Sequence, residues 1–209
     1  MDFQSQNSIA ILAFRADDLH PRLDSATLDE LTARLEEIRR SNFFRGLVIA
    51  SSRHSFATGA EIEEIAEIRG FSARRFAARG QELLNSIARF PVPVVAAIRG
   101  FCLGGGFDLA LACHARVATF DSSFGHPGGA LGLMTGWGGT QRLPRMLGKP
   151  AALQILLTGE RIPATQALSL GLVDELVASK DLTERSVLHA ERLGTRLSTS
   201  ADEGMAVQP

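Results

Sequence analysis

The stretch RGFCLGGGFDLALACHARVATF, residues 99–120, places Gly104, Gly105 and Gly106 and one acid, Asp108, at the head of an otherwise apolar segment. Its pattern predicts a helix over Leu103–Cys113 and a strand over Val117–Phe120. Glycines permit backbone dihedrals closed to other residues and let a ligand approach the main chain. The first N–H groups of a helix lack intrahelical partners, and the helix dipole adds positive potential there. An anion or a polarised carbonyl is stabilised at such a point. Asp108 stands three residues past Gly105, on the same helical face as an oxygen held at that glycine. Taken alone, the stretch reads first as a tight turn followed by an acid that complements the helix dipole, ahead of a ligand site. It has neither the G-x-G-x-x-G spacing of a dinucleotide site nor the Gly-Lys-Ser/Thr of a P-loop.

Outward from this segment, strands and helices alternate. Ile9–Phe14 is a short apolar run, and Leu28, Leu31, Leu35 and Ile38 recur at helical spacing over Thr27–Arg40. Gly46–Ala50 reads as a buried strand, and Glu61–Ile68 as a short helix. Between them lies the loop SSRHSFATG. A helix is expected over Ser72–Phe90, capped by its serine and stopped before Pro91, and a β-rich run over Val92–Ile98, where Pro93 suggests an edge or an irregular start. Gly138–Leu147, Ala151–Leu157 and Ala164–Leu170 read as helices, and Leu172–Val177 as the last strand. A final helix is expected over Thr183–Leu197, and STSADEGMAVQP after it reads as a loose tail. The order implies an α/β class with a core over residues 1–178 and a C-terminal helix and tail over residues 179–209.

The composition excludes several functions. The 209 residues are 45% hydrophobic and 22% charged, which fits one soluble domain with a sizeable core. With 22 basic and 23 acidic residues, no overall positive field attracts nucleic acid or an anionic membrane. Cys102 and Cys113 are the only cysteines, and no ligand spacing suggests a metal. The N-terminus lacks a basic region before its short apolar run, and no apolar stretch is long enough to cross a bilayer. A cytoplasmic protein is expected.

A second loop resembles the first in kind. In Phe56-Ala57-Thr58-Gly59-Ala60-Glu61, a strand's exit passes through small residues into a helix start. Two backbone donors from separate loops, converging on one oxygen, form an oxyanion hole, each donor being worth about 2.7–4 kcal/mol to a transition state.

Four ordered segments, FATGAEIEEI, PVVAAIRGFCLGGGFDLA, SSFGHPGGALGLMTGWGGTQRLPRMLG and LLTGERIPATQALSLGLVDELV, resemble the enoyl-CoA hydratase/isomerase (crotonase) superfamily. The resemblance spans Ile9 to Val177. It implies a spiral of ββα units with two roughly perpendicular sheets, assembled as a homotrimer or homohexamer. It also implies binding of an acyl-CoA thioester, with CoA part of the substrate and no further cofactor or metal. By position, the two amides that grip the thioester oxygen fall at Thr58 and Gly105. Thr58, Gly59, Ala60 and Glu61 would line the thioester site.

In the hydratases of this family, two glutamates manage a water molecule and a substrate proton. The first position here is Asp108, whose carboxylate is withdrawn by about 1.5 Å, one C–C bond. A misplacement near 1 Å can cost about a hundredfold. The second position is Gly128, which has no side chain to move a proton. His126 is the nearest titratable residue in sequence, and a loop histidine bonded to backbone is its ordinary reading ahead of a replacement acid. His54 reads as a solvated loop residue, Trp137 as a core residue, and Arg142 and Arg145 as solvent-facing. FRADDLHPRLDS stands where the family has an Asn-rich turn, so adenine recognition does not transfer. The chain ends soon after its last predicted helix, implying a more open pocket or one closed by a neighbouring subunit. The leading reading is an acyl-CoA enzyme that stabilises an enolate, with Asp108 as its acid or base. The second is a homologue that binds acyl-CoA or forms assemblies and has lost its catalytic acids.

Overall fold

The computed structural model describes residues 1–15, 17–60, 62–67 and 69–205. Six strands form the main sheet: β1 (Asp2–Gln6), β2 (Ile9–Ala13), β3 (Gly46–Ala50), β4 (Val94–Ile98), β6 (Ala115–Thr119) and β9 (Glu175–Val177), in the order β1-β2-β3-β4-β6-β9. Three short strands, β5 (Phe101–Leu103), β7 (Ser123–Gly125) and β8 (Ile162–Pro163), form a second sheet in the order β5-β7-β8. The helices are α1 (Ser25–Ser41), α2 (Ile62–Glu67), α3 (Gly70–Ala88), α4 (Gly105–Ala112), α5 (Gly139–Leu147), α6 (Lys149–Thr158), α7 (Ala164–Ser169) and α8 (Leu182–Met205). Among the described residues, no helix is long and apolar enough to cross a membrane.

The repeat is visible in how the chain moves between sheets. β4 runs in the main sheet, β5 in the small one, and α4 follows; β6 and β7 repeat the step and lead into a 3-10 turn over Pro127–Leu131. The first unit has β3 in the main sheet, but its second strand is reduced to Ala57, bridged in parallel to Cys102, before α2 and α3. This is the ββα repeat expected from the sequence.

Burial explains why these segments fold as they do. Every residue of β3, β4 and β6 is buried, as in parallel strands covered on both faces. Leu28, Leu31, Leu35 and Ile38 form the buried stripe of α1, each worth roughly 1.5–3 kcal/mol when fully covered. α8 lays Leu182, Val187 and Ala190 on Val48, Val95 and Val117 of the main sheet.

Several elements differ from expectation. α1 begins before Thr27 because the Asp24 side chain caps it, accepting from the Thr27 amide at 2.7 Å. Ser72 is not the cap of α3; Arg69 is, and the Ser72 hydroxyl accepts from the Arg69 amide inside the first turn. β4 is a central strand, so Pro93 marks no edge: the strand starts one residue later, and the Pro93 carbonyl accepts from Leu47. Residues 198–205 continue α8 instead of forming a loose tail; no proline interrupts them, and alanine and acidic residues among them favour helix. β1, β5, β7 and β8 have no counterpart in the sequence reading.

Candidate active site

The three glycines at the head of α4 are needed for three different reasons. Gly104 is its N-cap at φ +54°, ψ −125°, a conformation that strains any side-chain-bearing residue. A Cβ on Gly105 would lie 2.4 Å from Trp137 Cζ3, and one on Gly106 would lie 2.3 Å from the Ala57 carbonyl oxygen. The backbone of residues 56–60 is thereby pressed against the start of α4. Hydrogen bonds from the Phe56 and Ala57 amides to the Phe101 carbonyl, and from the Leu103 amide to the Ala57 carbonyl, hold it there.

Within this contact the roles of the amides are set by their partners. The Thr58 amide donates to the Pro21 carbonyl at 2.9 Å. It is therefore committed within the fold, which corrects the assignment of Thr58 as the first oxyanion donor. The Gly59 carbonyl accepts from Leu23 at 2.9 Å. There are no cis peptide bonds among the described residues, and in a trans peptide C=O and N–H point in opposite directions. The Ala60 N–H thus faces away from Leu23, and it makes no hydrogen bond to a described residue. A Cβ on Gly59 would lie 3.0 Å from the Gly105 nitrogen, so this peptide borders directly on the first N–H of α4. Gly105 itself has no intrahelical acceptor, because the Gly104 carbonyl is the first to be used, by Asp108 at 3.0 Å.

Both segments open onto a cavity of about 500 Å³. Thr58, Gly59, Ala60, Gly104 and Gly105 line it, with Asp108, His126 and Gly128, while Ile65, Phe76, Leu131, Leu133, Met134 and Trp137 supply its apolar wall. The structure therefore gathers the sequence-derived site residues at one place, Glu61 excepted, which lies outside the described residues.

Asp108 is 1% exposed on the buried helix α4. One carboxylate oxygen accepts from the Thr135 hydroxyl; the other, Oδ1, has no hydrogen-bond partner among the described residues. Burial pushes its pKa up to about 7, although the Thr135 hydroxyl, the Arg142 charge and the backbone N–H groups of Trp137 and Gly139 directed at the carboxyl pull the other way. The carboxyl is thus poised to hold or release a proton near neutrality.

His126 contradicts its sequence reading as a backbone-bonded loop histidine. The residue is 4% exposed, its imidazole is tilted against the Phe107 ring at 5.2 Å, and neither ring nitrogen finds a hydrogen-bond partner among the described residues. Nε2 lies 3.5 Å from Asp108 Oδ1. Burial lowers its pKa to about 4, so the ring is neutral at ordinary pH. His54, by contrast, is exposed, as expected of a solvated loop residue.

The supporting residues were partly legible. Trp137 is buried, with Phe76 at 5.3 Å. Arg142 is not solvent-facing: it donates to the Trp137 carbonyl at 3.0 Å and to Asn85 Oδ1 at 2.9 Å, so it braces the loop that carries Trp137. Arg145 caps a carbonyl of its own helix at Gln141. Cys102 and Cys113 are free and buried, with their thiols directed at helical carbonyls. Thr135 was missed, because no local pattern marks one hydroxyl in a Gly-rich loop as the partner of an acid on another element.

Comparison with known proteins agrees with this architecture. A family model described as enoyl-CoA hydratase/isomerase matches residues 4–204. The crystal structure of an enoyl-CoA hydratase from Bacillus anthracis superposes with a TM-score of 0.88 at 30% identity, covering 99% of this chain and 84% of that one. A probable enoyl-CoA hydratase/isomerase from Mycobacterium abscessus gives 0.80 at 31% identity, covering 90% of this chain and 72% of that one. DspI from Pseudomonas aeruginosa gives 0.86 at 29% identity, covering 92% and 73%. With the family model matching nearly the whole length, the chain belongs to the enoyl-CoA hydratase/isomerase family.

Proposed function

We propose that this protein is an enzyme acting on an acyl-CoA thioester through an enolate, with the Ala60 and Gly105 amides as the pair that grips the thioester oxygen. The observation that carries this reading is the adjoining of two amides without an acceptor among the described residues, from loops far apart in sequence, at a cavity that also holds a buried acid one helical turn from Gly105. Amides fixed by a rigid backbone stabilise charge that develops on a carbonyl oxygen and need no reorganisation as it forms. Asp108 adds or removes the proton at the carbon next to the thioester. CoA takes part only as a portion of the substrate, and the reaction is of the lyase or isomerase kind.

Gly128 supports the second reading, a homologue that binds acyl-CoA without turning it over, because the family's second acid position is empty of any functional group. Turnover of short 2-enoyl-CoA and 3-enoyl-CoA thioesters, with Asp108→Asn beside the wild type, decides between them. Turnover that falls by about 10²–10⁴-fold in the variant is the outcome expected of an acid–base enzyme. Binding of acyl-CoA with no turnover by the wild type would establish the second reading instead.

A further inference from the structure

We infer that His126 is the second proton-transfer group of this site, acting with Asp108 as a dyad that takes over the work of the acid missing at Gly128. The inference rests on the enolate reading above and adds to it a residue and a division of labour.

Three geometric facts carry it. His126 lines the cavity from the turn after β7, while Asp108 lines it from α4, and the two side chains meet with Nε2 3.5 Å from Oδ1. Both imidazole nitrogens and that carboxylate oxygen are buried and lack a hydrogen-bond partner among the described residues. Buried polar atoms are nearly always satisfied, so these unpartnered atoms mark a place where a water molecule or a substrate group would bond. Finally, the residue overlying the pair is Gly139, where a Cβ would lie 2.3 Å from Asp108 Oδ1 and 2.8 Å from His126 Nε2. The start of α5 leaves room for the two groups to face each other only because that position has no side chain.

The environments also sort the two groups into complementary forms. Burial keeps the carboxyl protonated up to near neutral pH and keeps the imidazole neutral, so the resting pair holds one acid and one base. Hydration of a 2-enoyl thioester then balances without any further group. The neutral imidazole takes a proton from water at Nε2 as the water oxygen bonds to C3. The C2–C3 π pair moves toward the thioester, whose oxygen takes up the charge between the two amides. Asp108 gives its proton to C2 as the enolate collapses, leaving a carboxylate beside an imidazolium. The proton crosses from Nε2 to Oδ1, and the pair returns to its starting form with H and OH added to the substrate.

The test separates His126 from the enolate chemistry on which it depends. Two reactions are followed in D2O: hydration of crotonyl-CoA, which uses both groups, and exchange of the C2 protons of butyryl-CoA, which uses the amides and Asp108. His126→Gln keeps side-chain bulk and polarity and removes the titrating ring; it is expected to lose about 10²–10⁴-fold in hydration while retaining C2 exchange. His126→Asn is carried in parallel should the glutamine variant not fold. Adding Gly128→Glu to His126→Gln is expected to restore hydration, since among the described residues a Cβ at 128 meets only Leu133, at 3.4 Å. Wild-type hydration in either His126 variant, or an equal fall of hydration and exchange in both, overturns the dyad. A wild type that exchanges but does not hydrate overturns the dyad and leaves the enolate reading standing; one that does neither overturns both.

Discussion

His126 Nε2 lies 3.5 Å from Asp108 Oδ1, in a pocket where neither atom has a hydrogen-bond partner among the described residues. The two side chains come from different ββα units, and their surroundings shift their proton affinities in opposite directions.

The opposed shifts make a specific pattern of stability with pH. Asp108 holds its proton to about 7 in the fold against an ordinary 3.8, so the unfolded chain releases first and this group's contribution falls as pH rises between those values. His126 is lowered from 6.5 to about 4, so its contribution is lost as pH falls through that window. The slopes oppose and largely cancel in the wild type. Urea unfolding from pH 4 to 7 is expected to show stability rising with pH in Asp108→Asn and falling with pH in His126→Gln, each pKa unit being worth about 1.4 kcal/mol.

Thr135→Val removes the hydroxyl that donates to Asp108 while keeping its shape. That hydrogen bond favours the ionised carboxyl, so its loss raises the pKa above about 7. The alkaline limb of the pH–rate profile, where Asp108 must still carry a proton, is expected to move to higher pH; an unmoved limb would separate Thr135 from the acid.

Trp137 is wedged between two helices: a Cβ on Gly80 of α3 would lie 2.3 Å from its Nε1, and one on Gly105 of α4 would lie 2.4 Å from its Cζ3. Trp137→Ala is expected to cost about 3–5 kcal/mol through the void it leaves. Gly80→Ala is expected to cost about 1–3 kcal/mol by overpacking, but only while the indole is present. A double-mutant cycle by thermal or denaturant unfolding checks this, the signature being strong non-additivity between the two sites.

Gly106→Ala drives a methyl toward the Ala57 carbonyl oxygen, which would lie 2.3 Å away and is fixed by its hydrogen bond from Leu103. A flexible side chain could yield there; this backbone cannot without moving the loop that carries Ala60. The expected outcome is a loss of about 1–3 kcal/mol in stability, measured by denaturant unfolding, together with a fall in kcat for acyl-CoA turnover greater than any rise in KM.

Much of the architecture was legible in the chain itself. The buried strands β3 and β4 lie in apolar runs, and the stripe of α1 recurs at helical spacing, because burial on one or two faces imposes a period that any reader can count. Elements without such a period were not legible. β1 is exposed along all five residues and is held by pairing with β2, while β5, β7 and β8 are too short to show a pattern.

By itself, the sequence determined the α/β alternation, the glycine-headed helix, the acid on it and the family resemblance, since these depend on local spacing and residue type. Only the tertiary structure decided that Thr58 gives its amide to Pro21 while that of Ala60 meets no acceptor among the described residues, and that His126 and Asp108 face each other under Gly139. An amide's availability and an acid's proton affinity depend on which atoms lie within a few ångströms. Those neighbours are brought from distant parts of the chain by packing, which leaves no mark in the residues on either side.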